Sequence, residues 1–162
     1  MLRKFEVSKI VLLLVLYHSQ EYGNTKAMAE AVAAGAQTAG AEVTLINTNE
    51  KRFEIEEFRQ FDAVVFGSPD YYSYIAGGLK IFVDDLYIAR KTNQQGLADK
   101  PFGLFYSHGG GGRVREPFEK LFGMMRLGSK VGETIESYGS PNNQVLEECR
   151  KLGQQLVQVK KK

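Results

Sequence analysis

Cysteine, excess charge and long apolar runs are all scarce in this chain of 162 residues, and each scarcity excludes a class of protein. The single cysteine, Cys149, cannot form an internal disulfide, and it excludes zinc and iron–sulfur sites that need several cysteine ligands. Lys and Arg number 21 against 19 Asp and Glu, which leaves a net charge of +2. Because nucleic-acid-binding proteins usually carry a stronger basic excess gathered on one face, we expect no nucleic-acid partner.

Apolar runs are too short to cross a membrane. The longest covers residues 10–17 and has eight residues, well below the roughly 20 that a spanning helix needs. Arg3 and Lys4 precede this run, as basic residues do in a signal peptide, but Glu6 and Lys9 interrupt the pattern and no small-residue cleavage site follows. The sequence therefore predicts a buried strand in a cytoplasmic protein without a membrane partner.

Apolar runs and helical periodicities alternate along the chain, which predicts five β–α units in one domain over residues 1–162. The predicted strands are residues 10–17, 42–47, 62–67, 101–106 and 130–138. The predicted helices cover residues 25–39, begin near residues 79, 117 and 141, and include short turns at 54–61. Strands that alternate with helices imply a parallel sheet covered on both faces, with ligands beyond the carboxyl ends of its strands.

The loop after the first predicted strand offers groups that suit a phosphate. Ser19, Asn24 and Thr25 supply side-chain donors, and Gly23 allows the backbone to approach a ligand closely. The N-terminus of the following helix adds N–H groups and a dipole that favours an anion. The alternative is that Asn24 or Thr25 merely caps the helix. Neither a Walker motif nor G-x-G-x-x-G occurs in the chain, so these nucleotide-binding loops are excluded.

Two further loops follow predicted strands and contain unusual sequences. In residues 67–78, Tyr71, Tyr72 and Tyr74 lie within four positions, and a flat aromatic cofactor could stack on one of them. In residues 107–112, Ser107 and His108 precede four glycines, whose backbone N–H groups could donate to a heterocycle. The alternatives are surface or interface tyrosines and a flexible connector.

The three loops together resemble those of the flavodoxin-like FMN-binding proteins, which include flavodoxins and NAD(P)H:quinone oxidoreductases. The resemblance rests on Ser-x-x-Tyr-Gly-Asn-Thr at 19–25, Gly-Ser-Pro at 67–69 and the glycine-rich segment at 107–112. It implies a flavodoxin-like α/β fold: a three-layer αβα sandwich with a five-stranded parallel sheet in the order 2-1-3-4-5. The resemblance also implies which residues bind each part of FMN. The phosphate would be bound by Ser19, Gln20, Tyr22, Gly23, Asn24 and Thr25, and the pyrimidine side and ribityl chain by Ser107, His108, Gly109, Gly110 and Gly111. The ring edge would be bound by Pro69, Asp70, Tyr71, Tyr72, Ser73 and Tyr74, with Tyr72 or Tyr74 against the ring.

The function that this resemblance implies is FMN-dependent electron transfer, with an oxidoreductase that uses NAD(P)H and a quinone-like acceptor favoured. A one-electron shuttle between partner proteins and a non-catalytic binding module are the alternatives, and homo-oligomerisation stays open. In flavodoxin shuttles the loop after the third strand can flip a peptide, and glycine lowers the cost of that flip. Residues 70–74 contain no glycine, so the flip would be penalised by about 1–2 kcal/mol. That cost and the near-neutral net charge both favour two-electron chemistry, although Ser73 departs from the glycine that the quinone reductases commonly have at its position. We expect no metal and no catalytic side chain, although His108 is a candidate proton donor.

Overall fold

A computed structural model describes residues 9–161, which form one parallel sheet between two helical layers. The strands are β1 (Leu12–Tyr17), β2 (Glu42–Asn47), β3 (Ala63–Pro69), β4 (Phe102–His108) and β5 (Ile135–Tyr138). The helices are α1 (Asn24–Thr38), α2 (Gly77–Thr92), α3 (Arg115–Met124) and α4 (Asn143–Lys161), with a short 3-10 helix at Ile55–Gln60. The order β2-β1-β3-β4-β5, parallel throughout, confirms the predicted fold. Arg3, Lys4, Glu6 and Lys162 lie outside the described residues.

Both faces of the central strands are buried, which explains why β1 is apolar at successive positions. Leu14 and Leu16 pack in the layer that contains α2 and α3, whereas Leu13 and Val15 pack in the layer that contains α1 and α4. All four side chains are fully buried. Each contributes about 1.5–3 kcal/mol relative to an exposed side chain, so the sheet is anchored where β1 leads into the first loop.

Small residues let the helices of one layer pack closely. A Cβ added to Gly35 of α1 would lie 1.9 Å from the carbonyl oxygen of Arg150, and one added to Gly153 of α4 would lie 2.1 Å from that of Val32. No side chain fits at either position, so the backbones of α1 and α4 are in direct contact. This packing fixes the direction in which α1 leaves the sheet, and with it the first turn of that helix.

Several predicted boundaries are wrong by a few residues. β1 begins at Leu12, because Ile10 is exposed beyond the sheet edge. β3 and β4 run on to Pro69 and His108, so part of each predicted loop belongs to a strand. β5 is limited to Ile135–Tyr138, because the backbone turns at Gly132, where φ is +69°.

Candidate functional site

A cleft of about 250 Å³ opens at the carboxyl ends of β1, β3 and β4, close to the lower end of the range of roughly 300–1,000 Å³ for small-molecule sites. All three predicted loops contribute to it, because the strands they follow are neighbours in a parallel sheet. The lining residues are Ser19, Gln20, Glu21, Tyr22, Gly23, Asn24, Thr25, Pro69, Asp70, Tyr71, Ser107, His108, Gly109 and Gly139. Glu21 and Gly139 were not among the predicted site residues. Gly139 follows β5, a strand end that the sequence argument did not consider.

The remaining predicted residues lie beside the cleft. Tyr72, Ser73, Gly110 and Gly111 line a neighbouring groove of about 400 Å³, which shares Asp70 and Gly109 with the cleft and also contains Arg113. Tyr74 lines neither cavity. Tyr71 is therefore the loop tyrosine in the cleft, whereas the sequence analysis placed Tyr72 or Tyr74 against a bound ring.

At one end of the cleft, α1 begins without a side-chain cap. Gly23 is the N-cap residue, with φ at +71°, and no side chain bonds to the exposed N–H groups of the first turn. The alternative that Asn24 or Thr25 caps this helix is therefore wrong. The first turn also lacks acidic residues. Uncapped N–H groups and the positive end of the helix dipole together favour an anion at this point.

The hydroxyls of Thr25 and Ser107 are buried beside that helix terminus. Their oxygens are 2.8 Å apart, which joins the first turn of α1 to the end of β4. The hydroxyl of Ser140 donates to the Asn24 amide oxygen at 3.3 Å and connects the segment after β5 to the same helix. The Thr25 and Asn24 side chains are thus each bonded to a residue of another part of the chain.

Asn47, a residue with no predicted role, holds the first loop in place. Its side-chain oxygen accepts from the backbone N–H of Ser19 at 3.0 Å, and its amide donates to the Ser19 carbonyl at the same distance. Its oxygen also accepts from the N–H of Asn49 at 3.1 Å. The available signal was its position, because Asn47 ends β2, which neighbours β1 in the sheet.

His18 and Tyr71 connect the first loop to the second. The His18 Nδ1 atom is 2.9 Å from the Thr48 hydroxyl, and its ring meets that of Tyr71 edge-on at 5.9 Å. The Tyr71 hydroxyl donates to the Gln20 side-chain oxygen at 2.5 Å. Burial lowers the pKa of His18, and burial raises the pKa of Tyr71. Both shifts favour the neutral form of the side chain.

The tyrosine turn, residues 71–74, adopts a strained conformation. Tyr71 and Tyr74 exchange backbone hydrogen bonds of 3.0 and 3.1 Å, and φ is +54° at Tyr72 and +65° at Ser73. Positive φ at both central residues defines a type I′ turn, for which Asn-Gly is the preferred sequence. A left-handed non-glycine residue costs about 1–2 kcal/mol. We expected from the sequence that only a peptide flip would bring this loop into the left-handed region. In the structure, Tyr72 and Ser73 already occupy that region.

His108 lines the cleft beside the glycine-rich segment, but other groups enclose or pair with its ring nitrogens. Its Nε2 atom is 2.6 Å from a Glu136 carboxylate oxygen, and its Nδ1 atom is buried. A Cβ added to Gly112 would approach the His108 Nε2 atom to 3.2 Å. The pair therefore supports the backbone of this segment, and the geometry gives no support to the predicted proton-donor role. Glu136 was missed because only the fold brings β5 beside β4.

Residues 9–161 contain neither a cluster of metal-ligating side chains nor a membrane-spanning helix. Within this part of the chain, no group of three or more His, Cys, Asp or Glu side chains could hold a metal ion. Among the helices of the same residues, none combines the length and the hydropathy required to cross a bilayer.

Comparisons with known proteins agree with this geometry. The family model for NADPH-dependent FMN reductase matches residues 11–133. The NAD(P)H dehydrogenase (quinone) of Archaeoglobus fulgidus is 27% identical, covering 93% of this chain and 97% of its own. A flavodoxin from the domain Archaea superposes with a TM-score of 0.80 at 24% identity, covering 94% of this chain and all of its own. A WrbA-like flavodoxin from Agrobacterium tumefaciens gives a TM-score of 0.72 at 26% identity, covering 93% of this chain and 97% of its own.

Proposed function

Because the chain belongs to the NADPH-dependent FMN reductase family, we propose that it binds FMN and transfers electrons from NAD(P)H to a quinone-like acceptor. The observation that carries this proposal is the uncapped N-terminus of α1 in a cleft that Tyr71 and Gly109 also line. FMN combines a phosphate with a flat heterocycle, and the residues that line the cleft supply donors for the first and an aromatic surface for the second.

The phosphate fits the α1 end of the cleft. A phosphate monoester carries a charge of roughly −1.5 to −2 and has three acceptor oxygens. The first turn of α1 supplies N–H groups, and Thr25 and Ser19 lie beside it as further donors. Charge-assisted hydrogen bonds of this kind are about twice as strong as neutral ones. We therefore assign phosphate binding to residues 19–25.

The ring fits between Tyr71 and the glycine-rich segment. A Cβ added to Gly109 or Gly110 would meet no atom within 4 Å, so space is open beside the backbone of this segment. Tyr71 supplies an aromatic wall on the β3 side. Bound FMN supplies the redox chemistry, while the protein contributes binding, orientation and the polarity of the cleft. No side chain is required as a nucleophile, and none is assigned that role.

The source and fate of the electrons are tested by anaerobic mixing. The FMN-loaded protein is mixed with NADH and, separately, with NADPH, and the visible absorption of the flavin is followed. Bleaching by either, and recovery on addition of a quinone, is the expected result. Stable colour with both cofactors, together with electron exchange with a reduced carrier protein, would instead identify a shuttle between partner proteins. Failure to bind flavin would identify a non-catalytic module.

The proposal also covers the location of the protein, its domain organisation and its electron acceptor. A cytoplasmic location and a single domain over residues 1–162 stay predictions from the sequence. The net charge of +2 supports a small-molecule acceptor over a strongly charged protein partner, because steering between proteins depends on complementary fields. Gel filtration of the FMN-loaded protein determines whether it forms homo-oligomers.

A further inference from the structure

Asp70 uses both oxygens of its carboxylate to hold the backbone of two separate loops. Oδ1 accepts from the N–H of Ser73 at 2.8 Å, and Oδ2 accepts from the N–H of Val114 at 3.2 Å. Its own backbone N–H donates to the Ser107 carbonyl at 2.9 Å. One residue at the end of β3 thus connects the tyrosine turn, the start of α3 and the end of β4.

These bonds restrain two segments, the tyrosine turn and the start of α3. The tyrosine turn has non-glycine residues in the left-handed region at Tyr72 and Ser73, so it needs an external restraint. Helix α3 begins at Arg115, its N-cap residue is Val114, and no side chain caps its first turn. A carboxylate at a helix N-terminus also interacts favourably with the helix dipole. Asp70 therefore holds the residue that precedes α3 from the end of a separate strand.

The position of Asp70 gives these bonds a consequence for ligand binding. The residue lines both the cleft and the neighbouring groove, as does Gly109. The tyrosine turn forms one side of that groove, and the glycine-rich segment that leads to Val114 forms the other. The two carboxylate bonds consequently set the distance between these walls.

We propose that Asp70 is a positioning residue that fixes the spacing between the tyrosine turn and the glycine-rich segment, and thereby the width of the slot for the flavin ring. This inference rests on the proposed FMN function. It differs from the role predicted for Asp70 as a contact of the ring edge, because both carboxylate oxygens are already bonded to backbone N–H groups. Asparagine retains one acceptor oxygen and so keeps only one of these bonds.

Binding of FMN and riboflavin to Asp70→Ala and Asp70→Asn tests this role. We expect Asp70→Ala to weaken both ligands by the same factor, about tenfold or more, since two charge-assisted bonds are lost. Asp70→Asn should have a smaller effect, and the visible bands of saturated flavin should shift in Asp70→Ala. The control is Asp84→Ala, because Asp84 is exposed and its Oδ1 atom pairs with Lys80 at 2.5 Å on α2. Unchanged affinity and spectrum, or a loss confined to FMN, would overturn the proposal.

Proteolysis of the flavin-free protein separates this inference from the proposed function. Tyr72 is fully exposed, and we expect chymotrypsin to cut after it several times faster in Asp70→Ala than in the wild type or Asp84→Ala. Cleavage sites are identified by mass spectrometry. If Asp70→Ala does not fold, Asp70→Asn provides the same comparison. An unchanged rate after Tyr72 rejects the restraint by Asp70, whereas absence of flavin binding by the wild type rejects the proposed function.

Discussion

The hydroxyl oxygens of Thr25 and Ser107 lie 2.8 Å apart, and this buried pair joins the first turn of α1 to the end of β4. One residue belongs to the first loop and the other to the third, 82 positions later in the chain. Since each hydroxyl can donate only one hydrogen, a phosphate at the α1 terminus would draw one donor toward itself while the other maintains the link. The pair thus connects anion binding to the position of the glycine-rich segment.

Replacing Thr25 with alanine should weaken FMN binding by about tenfold or more, because a charge-assisted bond contributes about 1.5–3 kcal/mol. Riboflavin, which lacks the phosphate, should bind almost as well as to the wild type. Fluorescence titration with both flavins measures the two dissociation constants. Thr25→Ser retains the hydroxyl and serves as the control. Equal losses for FMN and riboflavin would show that Thr25 acts through packing alone.

Asn47→Ala should lower the free energy of unfolding by about 2–3 kcal/mol, because it leaves the buried N–H and carbonyl of Ser19 without their partner. FMN affinity should fall as well, since the first loop loses its restraint. Urea unfolding of the flavin-free protein measures the stability change. Asn49→Ala, an exposed site on the same segment, should change stability by less than about 0.5 kcal/mol. Similar losses in the two variants would contradict the assigned role of Asn47.

Ser73→Gly should stabilise the protein by about 0.5–1 kcal/mol, because glycine adopts the left-handed region without the steric cost that serine pays at φ +65°. The same variant tests the argument about two-electron chemistry, through the amount of one-electron-reduced flavin that accumulates in a redox titration. Ser129→Gly, at an exposed position without a positive φ, should be neutral or destabilising. A loss of stability in Ser73→Gly would mean that the turn is not strained.

Stability should fall as the pH drops from 7 toward 5, in part because of His18. Burial lowers the pKa of His18 below its ordinary value of about 6.5, so the unfolded chain takes up the proton first and is favoured as the pH falls through that value. Urea midpoints at pH 7 and pH 5 measure the effect. His18→Gln should reduce the difference between them. An identical difference in wild type and variant would show that His18 does not contribute.

Features that depend on neighbouring residues in the sequence could be predicted, whereas features that depend on contacts between distant strands could not. The buried run that forms β1 and the glycine-rich segment could be predicted, because apolar continuity and residue type are local properties. The roles of Asn47 and Glu136 could not, because each depends on the strand that lies beside it in the sheet. The left-handed turn at Tyr72 was also missed. Tertiary restraint imposes that turn, against the preference of its own residues.

The direction in which each loop tyrosine points could not be predicted from the sequence either. The family resemblance implied Tyr72 or Tyr74 against the ring, yet Tyr71 is the tyrosine that lines the cleft, and Tyr72 is fully exposed. In a tight turn, successive side chains point in different directions, and the turn type determines which one faces inward. The sequence contains no signal for that turn type, since neither central residue is Asn or Gly.

The identity of the bound flavin tests the account most directly. Protein reconstituted with an equimolar mixture of FMN, FAD and riboflavin is freed of excess ligand and denatured, and the released flavin is identified by chromatography. The account predicts FMN at one molecule per chain, because the uncapped terminus of α1 is suited to a single phosphate monoester. Recovery of FAD or riboflavin in preference to FMN, or of no flavin at all, would contradict it.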